Sequence, residues 1–125
     1  MPDAGRYEHA PRPESVETFI EYIDKKKNVA SIQAVAPQVI EIFRAEAPRH
    51  LRVFLTDVYI VGQADVEEIV ANHPDVTSIV TMSAWNSYTA EAKAYARGSG
   101  VSLHTFSEFM KAVHLSGDAF LIYAK

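Results

Sequence analysis

No cysteine occurs among the 125 residues, which excludes disulfides, thiolate-bound zinc and cysteine nucleophiles. The absence fits a reducing compartment, so a cytoplasmic protein is expected. Long apolar runs are missing too: nothing approaches the ~20 residues a membrane helix needs. The opening stretch, Met1 to Glu14, is polar and proline-containing, without the apolar segment of a secretion signal. Positive charge is not in excess. Twelve Lys and Arg against sixteen Asp and Glu leave a formal charge of -4, which gives a nucleic-acid partner no support beyond a local basic face.

Several catalytic spacings are also lacking. There is no Gly-x-x-x-x-Gly-Lys, no Gly-x-Gly-x-x-Gly and no Gly-x-Ser-x-Gly. His9, His50, His73, His104 and His114 are scattered, and no two share the His-x-x-x-His spacing that places two metal ligands on one helix face. No metal site and no resident cofactor is expected.

What is present is an ordinary globular balance, 48% hydrophobic and 22% charged, enough to bury one core. Pro2, Gly5, Pro11 and Pro13 mark residues 1–14 as a flexible tail, leaving one domain over 15–125. Ser15 caps an expected first helix with Val16, Phe19, Ile20 and Ile23 on one face. Lys25, Lys26 and Lys27 form its solvated end. Ile32, Val35, Val39, Ile40 and Phe43 recur at helical spacing and predict a second N-terminal helix, begun or kinked at Pro37.

Beyond His50 the texture is that of buried strands alternating with helices. Leu51 to Gly62 is rich in β-branched and aromatic residues and reads as one strand or two. A helix with Val66, Ile69 and Val70 follows, with Asp65 and Glu68 at capping-box spacing. Then come a strand over Val76–Met82, a turn over Ser83–Ser87, and a helix bearing Tyr88, Ala92, Tyr95 and Ala96 that Gly98 closes. A strand over Val101–His104 and a helix opened by a Thr105/Glu108 capping box complete the order. Ala119–Ala124 reads as a fourth strand or a docked tail. The expected fold class is α/β: a small, mainly parallel sheet of three to four strands flanked by helices, with two N-terminal helices.

Two features bear on function. Asp57 is the only side chain charged at neutral pH between Val53 and Val61. An unpaired buried carboxylate is costly, so it must reach water, find a partner such as Arg52, His50 or backbone amides, or mark a break in the strand. It is also the one candidate catalytic acid. The second feature is the loop Ser83-Ala84-Trp85-Asn86-Ser87-Tyr88-Thr89, which follows a strand and therefore lies at the carboxyl edge of the sheet, where open α/β sheets place their ligands. It holds the only tryptophan. Ser83, Trp85, Asn86, Ser87, Tyr88 and Thr89 are the candidate ligand- or partner-binding residues; as a structural alternative, Asn86 or Ser87 caps the helix.

The segment Ser78–Thr89, with Ala92-Lys93-Ala94-Tyr95-Ala96 and then Val101-Ser102-Leu103, resembles the closing β-α-β of restriction-endonuclease-like domains of the Mrr type, over roughly residues 76–114. That resemblance implies a metal site upstream, built from a strand acid and a Glu/Gln-x-Lys. Asp57 is the one strand acid that matches the first part. The only Glu-x-Lys here, Glu91-Ala92-Lys93, falls inside a helix, where residues two apart face different ways. The resemblance thus implies a shortened relative without the metal-binding pair.

Three functions follow as expectations. The leading one is a non-catalytic module that binds a protein partner or forms a homo-oligomer. Motivating it are the small domain and the aromatics near sheet ends, Tyr59, Trp85, Tyr88 and Tyr95. A small-ligand or nucleotide-sensing domain using the Ser83–Thr89 loop is the second. A nuclease-like domain requiring magnesium or manganese, or an inactive remnant of one, is the third.

Overall fold

Residues 10–124 are described by a computed structural model; most of the expected tail, residues 1–9, lies outside them. Helix α1 spans Pro13–Asp24. It starts two residues before Ser15 because Pro13, whose missing N–H costs nothing in a first turn, takes the N1 position behind Arg12. Phe19 and Ile23 are its fully buried residues.

The expected second helix is instead a β-hairpin, β1 (Val29–Ala36) and β2 (Val39–Arg44), joined through Pro37-Gln38. Ile32, Val35, Val39, Ile40 and Phe43 fit helical spacing by coincidence. The burial that matters has period two: Ile40 and Ile42 are buried while Glu41 and Phe43 face outward. Pro37 opens the turn between two strands of β-branched residues.

Leu51–Gly62 is two strands, β3 (His50–Thr56) and β4 (Ile60–Val61), with Asp57 just beyond the end of β3. Helix α2 (Gln63–Asn72) follows, then β5 (Ser78–Thr81), β6 (Ser87–Tyr88), α3 (Ala90–Gly98), β7 (Ser102–Thr105) and α4 (Phe106–Ala112). Asp65 sits third in α2 and accepts from the Gly62 amide at 2.8 Å; its expected partner Glu68 takes no part. The Thr105/Glu108 capping box forms as expected. The last apolar piece is neither strand nor tail but helix α5, Gly117–Ile122. The left-handed turn after α3 falls at Gly100, with φ 76, rather than at Gly98.

The main sheet has the order β1-β2-β3-β5-β7. β1, β2 and β3 pair antiparallel, and β3, β5 and β7 pair parallel. β4 and β6 form a separate two-stranded parallel sheet. The sheet is therefore mixed, with five strands rather than three or four. The parallel half is the one expected from alternating strands and helices; the antiparallel half is the misread hairpin. Phe19, Ile23, Phe109 and Phe120 from α1, α4 and α5 cover one face, against Ile40, Ile42, Leu51, Val53, Leu55 and Val80. On the other, Val66, Ile69, Ala92 and Ala96 from α2 and α3 meet Phe54, Ile79 and Leu103. Successive residues of β3 and β5 serve opposite cores, which is why β5 is buried at every residue and β3 at all but His50 and Arg52.

Candidate functional site

β3 and β5 run parallel, so Asp57 and the segment after Thr81 emerge together at the carboxyl edge. Asp57 Oδ1 accepts three hydrogen bonds: from the Ser83 amide at 3.0 Å, from Ser83 Oγ at 2.5 Å and from Asn86 Nδ2 at 2.8 Å. Asn86 is only 6% exposed, and its Nδ2 also donates to Thr81 Oγ1 at 2.9 Å. Thr81 Oγ1 in turn donates to the Val58 carbonyl at 2.8 Å. Neutral donors thus satisfy Oδ1 of the carboxylate that the sequence left in an apolar run. Arg52 pairs instead with Glu41 and Asp75, and His50 approaches Glu41.

This network sets the loop. Ser87 donates its amide to the Tyr59 carbonyl at 2.9 Å, and Thr89 donates to that of Val61 at 2.9 Å. Alternation then turns Asn86 inward and Trp85 and Ser87 outward. Trp85 is 73% exposed, Tyr59 61% and Ile60 50%. Thr89, rather than Asn86 or Ser87, caps α3, accepting from the Ala92 amide at 3.0 Å. Tyr88 belongs to β6, not to the helix face shared by Ala92 and Ala96.

Tyr88 leads into a cluster that sequence reasoning did not assemble. Its hydroxyl donates to the Glu108 carboxylate, 2.9 and 3.0 Å from the two oxygens. Burial first, and then the Glu108 bond, pushes the phenol well above its usual range. Lys93 Nζ donates to the carbonyls of Leu103 at 2.5 Å and Tyr123 at 2.7 Å and lies 5.1 Å from the centre of the Tyr88 ring. Burial lowers this ammonium to about 8, partly opposed by Glu108. His104 is fully buried among the rings of Phe109, Phe120 and Tyr123. Burial, and secondarily Lys93, holds it at about 3, so the imidazole is neutral at physiological pH. Thr105 and Glu108 were legible as a capping box; the additional use of Glu108 to hold Tyr88 carries no local sequence signal.

The Glu91-Ala92-Lys93 triplet divides as helix geometry requires: Glu91 is exposed, Ala92 is buried, and Lys93 turns in to the backbone carbonyls. Among the described residues no three His, Asp or Glu side chains gather where they could hold a metal ion. His73 packs on Phe54 and His50 stacks on Phe43. No helix among the described residues is long and apolar enough to cross a membrane. Comparisons with protein-family models, curated proteins and solved structures return no match to this chain.

Proposed function

We propose that this chain is a non-catalytic interaction module that engages a protein, a partner or a second copy of itself, through the surface formed by Trp85, Tyr59 and Ile60. The carrying observation is that Trp85, 73% exposed, projects from a loop fixed beneath it by Asp57, Asn86 and Thr81. A large aromatic carried on a hydrogen-bonded loop costs less to order when a partner covers it than one on a free segment, and tryptophan and tyrosine are common anchors of protein interfaces. Asp57 supports the reading because its Oδ1 is committed to organising the loop.

The nuclease-like alternative would need a carboxylate and a lysine beside Asp57; its neighbours through hydrogen bonds are Ser83 and Asn86.

Three experiments test the proposal. Light scattering over a range of concentrations reads self-association, and immobilised chain reads a partner. Trp85→Ala should weaken whichever association is found by about tenfold or more. Equal association by both proteins would end the proposal. Plasmid incubated with magnesium or manganese should remain intact, and cleavage abolished by Asp57→Ala would replace this reading with the nuclease one.

A further inference from the structure

Beside the Asp57 loop lies a groove of about 470 Å³, within the size range of small-molecule sites. Three separate segments line it: Ser15, Thr18 and Tyr22 of α1; Met82, Ser83 and Ala84 after β5; and Thr105, Phe106 and Ser107 at the junction of β7 and α4. Two sides are therefore the carboxyl ends of adjacent parallel strands, the usual ligand position of an open α/β sheet. Trp85 is not among the lining residues, so this site is separate from the proposed interaction surface.

We propose that the groove takes an uncharged, hydroxyl-rich ring compound, a sugar or a nucleoside. Among the described residues the lining has no Asp, Glu, Lys, Arg or His, yet six of those nine carry a hydroxyl. An ionic ligand would lose water there without meeting a counter-charge, whereas a neutral polyol exchanges water for hydroxyl partners.

The hydroxyls also have a defined polarity. Ser83 Oγ donates to Asp57 and Thr18 Oγ1 donates to the Glu14 carbonyl at 3.0 Å. With their protons committed, both offer lone pairs to a ligand's O–H or N–H groups. Tyr22 and Phe106 complete the wall, their rings edge to face at 6.0 Å. Tyr22 is half exposed, leaving aromatic surface against which a sugar ring or a nucleobase can stack.

The test is an amide-resolved NMR titration of the full chain with maltose, adenosine and adenosine monophosphate. Maltose or adenosine should shift the Ala84, Phe106 and Ser107 amides with a dissociation constant of about 0.1–1 mM, ordinary for a ligand of this size. A response to maltose identifies the sugar class, and a response to adenosine alone the nucleoside class. The monophosphate should bind about tenfold more weakly than adenosine, because its charge finds no cation among the described lining residues. Thr18→Trp and Ala84→Trp, both at exposed positions, should fill the groove and abolish the shifts while the remaining spectrum stays folded; either variant suffices. No shift with either neutral compound at about 10 mM, some tenfold or more above that constant, overturns the proposal. So does a monophosphate that binds as tightly as adenosine, or shifts that persist in a folded filled-groove variant.

Discussion

Asp57 and Asn86 are 29 residues apart in the chain, and the Asn86 amide nitrogen lies 2.8 Å from the Asp57 carboxylate. That bond ties the end of β3 to the loop after β5, so the most conspicuous polar residue of an apolar segment organises the most conspicuous aromatic one.

Replacing Asp57 by alanine removes all three bonds to Oδ1 and leaves the inward-facing Asn86 with only Thr81 as its side-chain partner. At roughly 1 kcal/mol for each neutral-donor bond, more where the acceptor is charged, the loss is about 3 kcal/mol. Asp57→Asn keeps an acceptor oxygen and should lose about half as much. Urea unfolding gives the magnitudes. Hydrogen exchange at Ser83 and Asn86 should accelerate in Asp57→Ala before the sheet opens.

The antiparallel half of the fold depends on Arg44, which is 2% exposed. Its guanidinium donates to the carbonyls of Val113 at 2.7 Å, Leu115 at 2.6 Å, Pro48 at 2.9 Å and Ala47 at 3.3 Å, and lies 4.6 Å from the Phe120 ring centre. This one fork joins the β2–β3 turn to the end of α4. Arg44→Met should cost about 3 kcal/mol through unsatisfied carbonyls. Arg44→Lys should recover less than half of that, because one ammonium cannot span the same acceptors. Full recovery in Arg44→Lys would show that only the charge matters.

His104 makes stability depend on pH. Its folded value of about 3 lies below the ordinary value of about 6.5. Between those limits the unfolded chain binds the extra proton, so stability falls as pH falls, by up to about 1.4 kcal/mol per unit from this residue. Above pH 6.5 the contribution is constant. His104→Leu should remove this slope between pH 6.5 and 3, read as urea midpoints against pH; an unchanged slope would assign the acid sensitivity elsewhere.

The parallel half of the fold was legible because the apolar runs at β3 and β5 and the short Val101-Ser102-Leu103 segment at β7 are separated by helices with clear stripes. The hairpin was not. Ile32 through Phe43 satisfies two periods at once, and only the pairing of Ile32 with Ile42 and Ala34 with Ile40 across the turn chooses between them. At the site, a break at Asp57 was one of the alternatives the sequence left open, and the place of the loop after a strand, at the carboxyl edge, follows from the element order. The bonds Asp57–Asn86 and Tyr88–Glu108 do not, because they join segments 29 and 20 residues apart. The groove draws on three segments, and no local pattern announces it.

The most direct test of the interaction surface compares wild-type chain with Trp85→Ala as immobilised baits, with the chain itself among the proteins offered. Trp85 is 73% exposed, so its removal should change stability by no more than about 0.5 kcal/mol. The surface predicts that one protein, a partner or the chain itself, is retained by the wild type and reduced about tenfold or more by Trp85→Ala. Equal retention by two equally folded baits would contradict it.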